Sequence, residues 1–338
     1  MESEIQSKDV AEMNLPEYSV AIRTLGTGGE KYRRELESLH RQTHMPRRIV
    51  VYIARGYEAP SWRVGIEEYV WVPKGMLRQR AVEYREIDTP YVLTLDDDVE
   101  LHPDSAEKLV KAMERYGADF VAADTFRNQD MGIVERIKGF AANWARPRRN
   151  DGRAFVIDLS GSFSYNTKPA ADVCPTQSAA GPAAMWRKSS LLRVRLKDEL
   201  WLEDFPFPFG EDQLYYYKAW VNGMKTYVHY GAGIEHLDGG ADSSRFRANP
   251  QKMIYRAQIL HILWHRTIYS RAGQTGPRRM AAALLWGVKV AWLAAVHAGL
   301  SVVRLSPRPI VYYAKGIARG MKYVRSDRYR SLPPYILK

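Results

Sequence analysis

The run Tyr91-Val-Leu-Thr-Leu-Asp96-Asp97-Asp98-Val99 constrains this chain more than any other segment. Mostly apolar, β-forming residues drive straight into three consecutive carboxylates. At the end of a buried strand such carboxylates repel one another, and removing them from water is costly without a counter-charge. A divalent cation among them meets that need. In an open α/β sheet the carboxyl ends of strands are also where ligands bind. The segment reads as a metal-dependent site for a phosphorylated ligand. The alternative is a solvated acidic turn capping the helix that starts at Pro103-Asp104.

Around this run the first part of the chain alternates strand-like and helix-like segments. Tyr18 to Thr24, Arg48 to Ala54, Tyr69 to Val72, Tyr91 to Leu95 and Asp119 to Ala123 read as strands. Glu30 to Gln42, Leu77 to Ile87 and Asp104 to Tyr116 read as helices, the first with Tyr32, Leu36 and Leu39 on one face. Such alternation implies βαβ units and a Rossmann-like, mostly parallel α/β sheet with flanking helices. From Asp124 to Pro208 the pattern is irregular, with strand candidates at Ala154 to Leu159 and Ala183 to Trp186. A helix over Glu211 to Asn222 and a strand over Lys225 to Tyr230 follow, then three helices: Met253 to Tyr269, Arg278 to Leu305 and Pro309 to Val324. The expected organisation is a polar extension at 1–17, one α/β domain at 18–248, and a basic helical region at 249–338.

The charge is concentrated at the end of the chain. From residue 277 onward twelve cations face the single acid Asp327, so +11 of the net +12 lies there and the rest is nearly neutral. A basic tail on a neutral body points to an anionic surface, membrane or nucleic acid. Within it, Met280 to Val303 is apolar apart from Lys289 and His297. That is long enough to span a bilayer, which takes about 20 residues. A midspan lysine and basic residues on both flanks favour an interfacial helix, with Trp286 and Trp292 near the headgroups, over a span or a buried helix. Cys174 is the only cysteine, which excludes an intrachain disulfide and suits a reducing compartment. Residues 1–17 are polar, without the apolar core of a secretory signal.

Three further constellations bear on chemistry. Glu211-Asp212 opens a helix behind an aromatic, proline-stiffened loop holding Trp201, Phe205, Phe207 and Phe209. Such a loop can wall a pocket and stack on a sugar face, and a carboxylate there can act as general base; simple helix capping is the alternative. In Gly233-Ile-Glu235-His236-Leu-Asp238-Gly-Gly240, a histidine after a strand could complete a cation site begun by Asp98. Lys74-Gly75-Met76-Leu77-Arg78-Gln79-Arg80 combines glycine, cations and an expected helix start, which suits a diphosphate.

The order of these features resembles the inverting family 2 glycosyltransferases of the GT-A fold, over roughly residues 18 to 240, and among them enzymes that build bacterial surface polysaccharides. The resemblance implies a nucleotide-sugar donor, Mn²⁺ or Mg²⁺, and a glycan or lipid-linked glycan acceptor. Carried onto this chain, Asp98 and His236 would hold the metal, and Asp96 would lie near the nucleotide. Lys74, Arg78, Asp97 and Thr24 would stand on the donor side. Asp212, with Glu211 beside it, would deprotonate the acceptor hydroxyl. The second strand ends in Ala54-Arg55-Gly56, without the acid that often holds the nucleobase in that family, so uridine is not implied. The basic helices would place the enzyme in the cytoplasm, peripherally on the inner membrane face, with no nucleic-acid partner. The competing readings are a nucleotidyltransferase, for which Gly26-Thr-Gly-Gly29 would be the phosphate loop, and a non-enzymatic anionic-surface binder.

Overall fold

The computed structural model describes residues 15–125, 137, 139–140, 152–237 and 249–337. Most of the expected 1–17 extension, together with Asp238 and Gly240, lies outside the described residues. Eight strands form the main sheet: β1 (Tyr18–Thr24), β2 (Ile49–Ala54), β3 (Glu67–Val72), β4 (Tyr91–Asp96), β6 (Phe120–Ala123), β9 (Val173–Pro175), β10 (Ala183–Arg187) and β11 (Thr226–His229), in the order β3-β2-β1-β4-β10-β6-β11-β9. The β3-β2-β1-β4 half is parallel, as is β6 to β11. Strand β10 runs antiparallel between β4 and β6, and β9 closes the edge antiparallel to β11. The sheet is therefore mixed. Two small ribbons flank it: β5 (Val99–Leu101) with β12 (Ile234–His236), and β7 (Phe155–Ile157) with β8 (Phe163–Tyr165).

Side-chain alternation divides the strands between two cores. Val20, Ile22, Ile49, Val51, Ile53, Leu93 and Leu95 face helices α1 (Glu30–Leu39) and α2 (Ser105–Tyr116). Ala21, Val50, Tyr52 and Val92 face the opposite layer. Because both faces are covered, β1 and β2 are buried along their whole length and read as continuous apolar runs. Asp104 precedes α2 as its cap residue, so the acidic triplet is not the cap of that helix.

The second layer is built by α3 (Lys188–Arg193), α4 (Lys218–Val221) and the C-terminal helices α5 (Pro250–Trp264), α6 (Gly276–Val303) and α7 (Arg308–Tyr323). Residues on both sides of position 248, from Val92 and Trp201 to Leu263 and Tyr335, share one apolar cluster. Helices α5 and α7 touch through glycine: a methyl at Gly316 would fall 2.4 Å from the Ile254 carbonyl, and one at Gly320 would fall 2.8 Å from that of Gln258. Small residues four apart let two helix backbones approach this closely.

One expected helix does not form. Residues 77 to 87 are a chain of turns, with a single helical hydrogen bond from Ala81 N–H to the Leu77 carbonyl. The Glu203 carboxylate takes the Leu77 N–H at 2.6 Å and the Arg78 N–H at 3.3 Å, and Tyr84 adopts a left-handed backbone. A distant acid and a local reversal override the helical spacing of Leu77, Ala81 and Tyr84.

The glycine contact gives a direct test. Gly316→Leu forces α5 and α7 apart and should cost about 1–3 kcal/mol or more, as overpacking typically does. A thermal melt showing wild-type stability would mean that the two helices do not cross here.

Candidate active site

The triplet is folded by arginine. Arg23 of β1 sits in register with Asp96 of β4 and donates to its carboxylate at 2.5 Å. Arg80, from the turns after β3, approaches the same carboxylate at 3.3 Å. Both guanidiniums are more than nine-tenths buried. Burial would raise the Asp96 pKa, but the two arginines outweigh it and hold the carboxylate below its ordinary value. Asp97 accepts from the Thr24 hydroxyl at 2.5 Å, and Thr24 in turn accepts from the Gly26 N–H. Burial, reinforced by Asp98 and Asp96, raises Asp97 above its ordinary value against that hydrogen bond.

Asp98 faces the other way. Its Oδ2 lies 3.1 Å from Nε2 of His236, on the ribbon where His236 pairs with Val99, and its carbonyl accepts from Leu237 N–H. Among the described residues no three His, Cys, Asp or Glu side chains form a metal site. Two ligands nevertheless fit an ion shared with a diphosphate. Adjacent vertices of an octahedron with metal–ligand bonds near 2.1 Å stand about 3 Å apart, and such ions take their remaining ligands from phosphate and water. The spacing of Asp98 and His236 matches one such edge.

Glu211 and Asp212 follow Gly210 at the mouth of a wide helical turn, Gln213–Tyr217, that runs into α4. Arg80 connects this element to the triplet, with Glu211 at 4.0 Å on its other side. A methyl at Gly181 would lie 2.7 Å from Asp212 Oδ1 and 3.3 Å from the Arg80 guanidinium, so the backbone before β10 presses against both. Asp212 Oδ1 is enclosed and has no hydrogen-bond partner. Burial, with Glu211 adding to it and Arg80 opposing, pushes the Asp212 pKa well above the carboxylate range. An unsatisfied buried acceptor costs about 1–3 kcal/mol. A ligand hydroxyl at this atom would remove that cost.

The wide turn is fastened from the C-terminus. Tyr335 donates its hydroxyl to the Gln213 carbonyl at 2.7 Å. Below it, Glu199 accepts from Arg266 at 2.5 and 2.9 Å, from Lys218 of α4 at 3.0 Å and from Trp201 at 3.0 Å, all in the interior. Phe205 packs edgewise on Trp201 and tilted against Tyr323 and Tyr255, and Phe207 packs beside Tyr255. The aromatic loop is thus partly core: Trp201 and Phe205 are buried, whereas Phe207 and Phe209 remain half-exposed.

Asp96, Asp97, Asp98, Thr24, Glu211, Asp212 and His236 therefore gather at one end of the sheet. Lys74 and Arg78 do not join them. Lys74 is exposed, donating to the Tyr57 hydroxyl at 2.5 Å, and Arg78 points to solvent. With Glu203 on the N–H groups of the turn, no free helix N-terminus is offered to a diphosphate. The sequence marks Arg80 only as one cation of the Lys74–Arg80 run, and it does not single out Arg23, Gly181 or Glu35. The signal for Arg23 was a lone cation inside an apolar strand. Glu35, on α1, is 0% exposed and neither carboxyl oxygen has a partner.

Residues 73–169 match the sequence profile of glycosyl transferase family 2, a stretch holding Arg80 and the whole triplet. The match covers that stretch of the chain, a little under a third of its length. The mixed sheet with flanking helices is of the GT-A type. No curated sequence matches this chain. Solved structures that align with it include GalNAc-T7 with UDP, GalNAc and Mn²⁺ (13% identity, 84% of this chain, TM-score 0.46). Residues 1–349 of TarS from S. aureus align at 13% identity over 91% of this chain and 92% of that one, TM-score 0.42. The mannosyltransferase PcManGT from Pyrobaculum calidifontis, in complex with GDP-Man and Mn²⁺, aligns at 14% identity over 94% and 83%, TM-score 0.48. This chain spans 57% of the GalNAc-T7 chain.

Two outcomes follow from the site. Burial first, then Asp97, Asp96 and Asp98, raises the Glu35 pKa well above 4.5, so the fold prefers the neutral acid. That preference stabilises the protein most in acid and is lost as pH rises through the shifted value. Glu35→Gln should therefore melt progressively higher than wild type as pH increases, and a constant difference from pH 5 to 8 would contradict it. Arg80→Ala should weaken nucleotide-sugar binding roughly tenfold to a hundredfold, the worth of a charge-assisted contact. Arg78→Ala should leave it near wild type. Equal effects in titration calorimetry would show that the protein does not use the buried arginine this way.

Proposed function

We propose that the transferase moves a sugar from a nucleotide-sugar donor to a hydroxyl of a glycan or lipid-linked glycan, with inversion, in a metal-dependent reaction. The observation that carries this reading is the unpartnered Oδ1 of Asp212, set against Gly181 and Arg80 beside the triplet. Asp212 accepts the acceptor proton there as the new bond forms, in a single in-line displacement at the anomeric carbon. Arg80 ties Asp96 to the Glu211–Asp212 element, so donor and base are fixed in one frame. Mn²⁺ or Mg²⁺ held by Asp98 and His236 would supply charge neutralisation at the diphosphate leaving group. The direct match to the family in the triplet region supports this over the nucleotidyltransferase reading.

The basic C-terminal helices support a further part of the reading: an acceptor on a lipid carrier, met by a cytoplasmic enzyme peripheral to the inner membrane face, as in bacterial surface-polysaccharide synthesis. Twelve cations against one acid favour an anionic surface.

The test is kinetic. With a panel of nucleotide sugars read out by nucleotide release, Asp212→Asn should lower kcat by about 10²–10⁴-fold, the usual worth of a general base, while donor affinity is kept. Since only ionised Asp212 accepts a proton and its pKa is raised, wild-type kcat should climb with pH beyond the ordinary carboxylate range. Asp98→Ala should abolish the dependence of donor affinity on added Mn²⁺. Near-native turnover in Asp212→Asn would remove the base assignment, and retained metal dependence in Asp98→Ala would remove the ligand assignment.

A further inference from the structure

Helix α6 is held to the protein along one stripe. Ala282, Trp286, Lys289 and Leu293 recur at helical spacing and are buried. Trp286 stacks on Trp264 of α5 with ring centroids 4.8 Å apart. Lys289 is 2% exposed, lies 5.5 Å from the Trp286 ring, and donates to the Ser160 carbonyl at 3.3 Å. Burial lowers its pKa to about 8, against the pull of Asp158. The one charge inside the apolar run thus turns into the protein. A helix fastened through this stripe lies along the body rather than crossing a bilayer.

The opposite stripe is apolar and bare. Met280 is 75% exposed, Leu284 70%, Val302 73% and Val303 81%, with Val288 also outward, whereas Trp292 packs against Phe140. Between Arg279 and Arg304 that face carries no charge. At 1.5 Å per residue, Met280 to Val303 extends about 35 Å. Arg278 and Arg279 stand at one end, Arg304 and Arg308 at the other, all exposed and without a salt bridge to any described residue. Soluble proteins seldom leave so long an apolar stripe uncovered. Because both ends are cationic, a second copy of this chain laid on the stripe in either direction sets arginine against arginine. A surface with an apolar interior and anionic headgroups complements both the stripe and its ends.

We propose that the Met280–Leu284–Val288–Val302 face of α6 docks in the plane of an anionic lipid bilayer, with Arg278, Arg279, Arg304 and Arg308 on the headgroup phosphates. This deepens the membrane part of the proposed function and is independent of the base assignment. It follows that the active-site end of the protein is held at a fixed attitude to the membrane through the Lys289–Ser160 and Trp286–Trp264 contacts.

The experiment is co-flotation of the full chain with vesicles of phosphatidylcholine alone or mixed with phosphatidylglycerol, at low and high salt. The wild type should float with the mixed vesicles, less so at high salt, and barely with phosphatidylcholine. Leu284→Glu combined with Val288→Glu should reduce partitioning by about tenfold or more, as expected when two apolar contacts with the interface are lost. Its melting temperature and donor affinity should be unchanged, since both side chains are exposed. Arg304→Glu with Arg308→Glu should weaken binding to the mixed vesicles alone. Absence of flotation with anionic vesicles, or wild-type flotation of the Leu284/Val288 variant, would overturn the proposal. So would a dimer in sedimentation velocity that this variant dissociates, which would assign the face to a second copy. None of these readouts uses turnover, so failure here leaves the catalytic reading standing.

Discussion

Two buried guanidiniums make the acidic end of this sheet foldable. Six carboxyl groups converge there: Asp96, Asp97 and Asp98 from the triplet, Glu211 and Asp212 from the wide turn, and Glu35 from α1. Arg23 and Arg80 are the cations whose contacts reach them from the interior. Arg23 neutralises Asp96 from the neighbouring strand in register, so the strand pairing itself brings charge and counter-charge together. Arg80 then lies between Asp96 and Glu211. What remains uncompensated is informative, because Asp97, Asp212 and Glu35 are all driven towards the protonated form. The site has less cationic charge than carboxylate, the balance expected where a metal ion or a proton must enter to complete it.

The position of Asp212 depends on parts of the chain far from the triplet. Its helix is anchored by Lys218 on Glu199, which Arg266 also grips, and by Tyr335 on the Gln213 carbonyl. Removing one member of such a buried cluster leaves an uncompensated charge, typically worth about 3–5 kcal/mol. The C-terminal region is therefore part of the frame that positions Asp212 as well as a basic appendage. Wide helical turns recur at functional sites because they re-aim a side chain while leaving a backbone group to be satisfied from outside. Tyr335 supplies that satisfaction here.

The parallel half of the fold was legible because its signals are local. The buried, β-forming runs of β1, β2 and β4 and the Tyr32-Leu36-Leu39 face of α1 need no knowledge of distant residues. The length of α6 was legible for the same reason, but not which way Lys289 turns, since Ser160 is 129 positions away. Residues 77 to 87 read as a helix because their spacing is helical, yet Glu203, from a segment with no sequence link to them, captures their amides. The same displacement explains why Arg78 was singled out and Arg80 was not. Once the helix is undone, the two swap surfaces: Arg80 goes inward and Arg78 outward. The carboxylate positions were legible through their motifs, whereas the arginines that hold them were visible only as cations among apolar neighbours.

The antiparallel strand β10 separates two kinds of freedom. It enters the sheet at the end where β4 leaves it, so Pro182 and Gly181 arrive beside Asp96 from the opposite direction: Asp96 N–H donates to the Pro182 carbonyl, and Gly181 meets Asp212. Arg23 and Asp96 thus sit on strands whose register is fixed by the parallel half. The described chain between β6 and β10 carries the β7–β8 ribbon and returns to the sheet as β9, paired with β11. None of these strands pairs with β1 or β4, so the register of Arg23 on Asp96 is set without them. A fold wired this way insulates the Arg23–Asp96 pair from changes along that excursion.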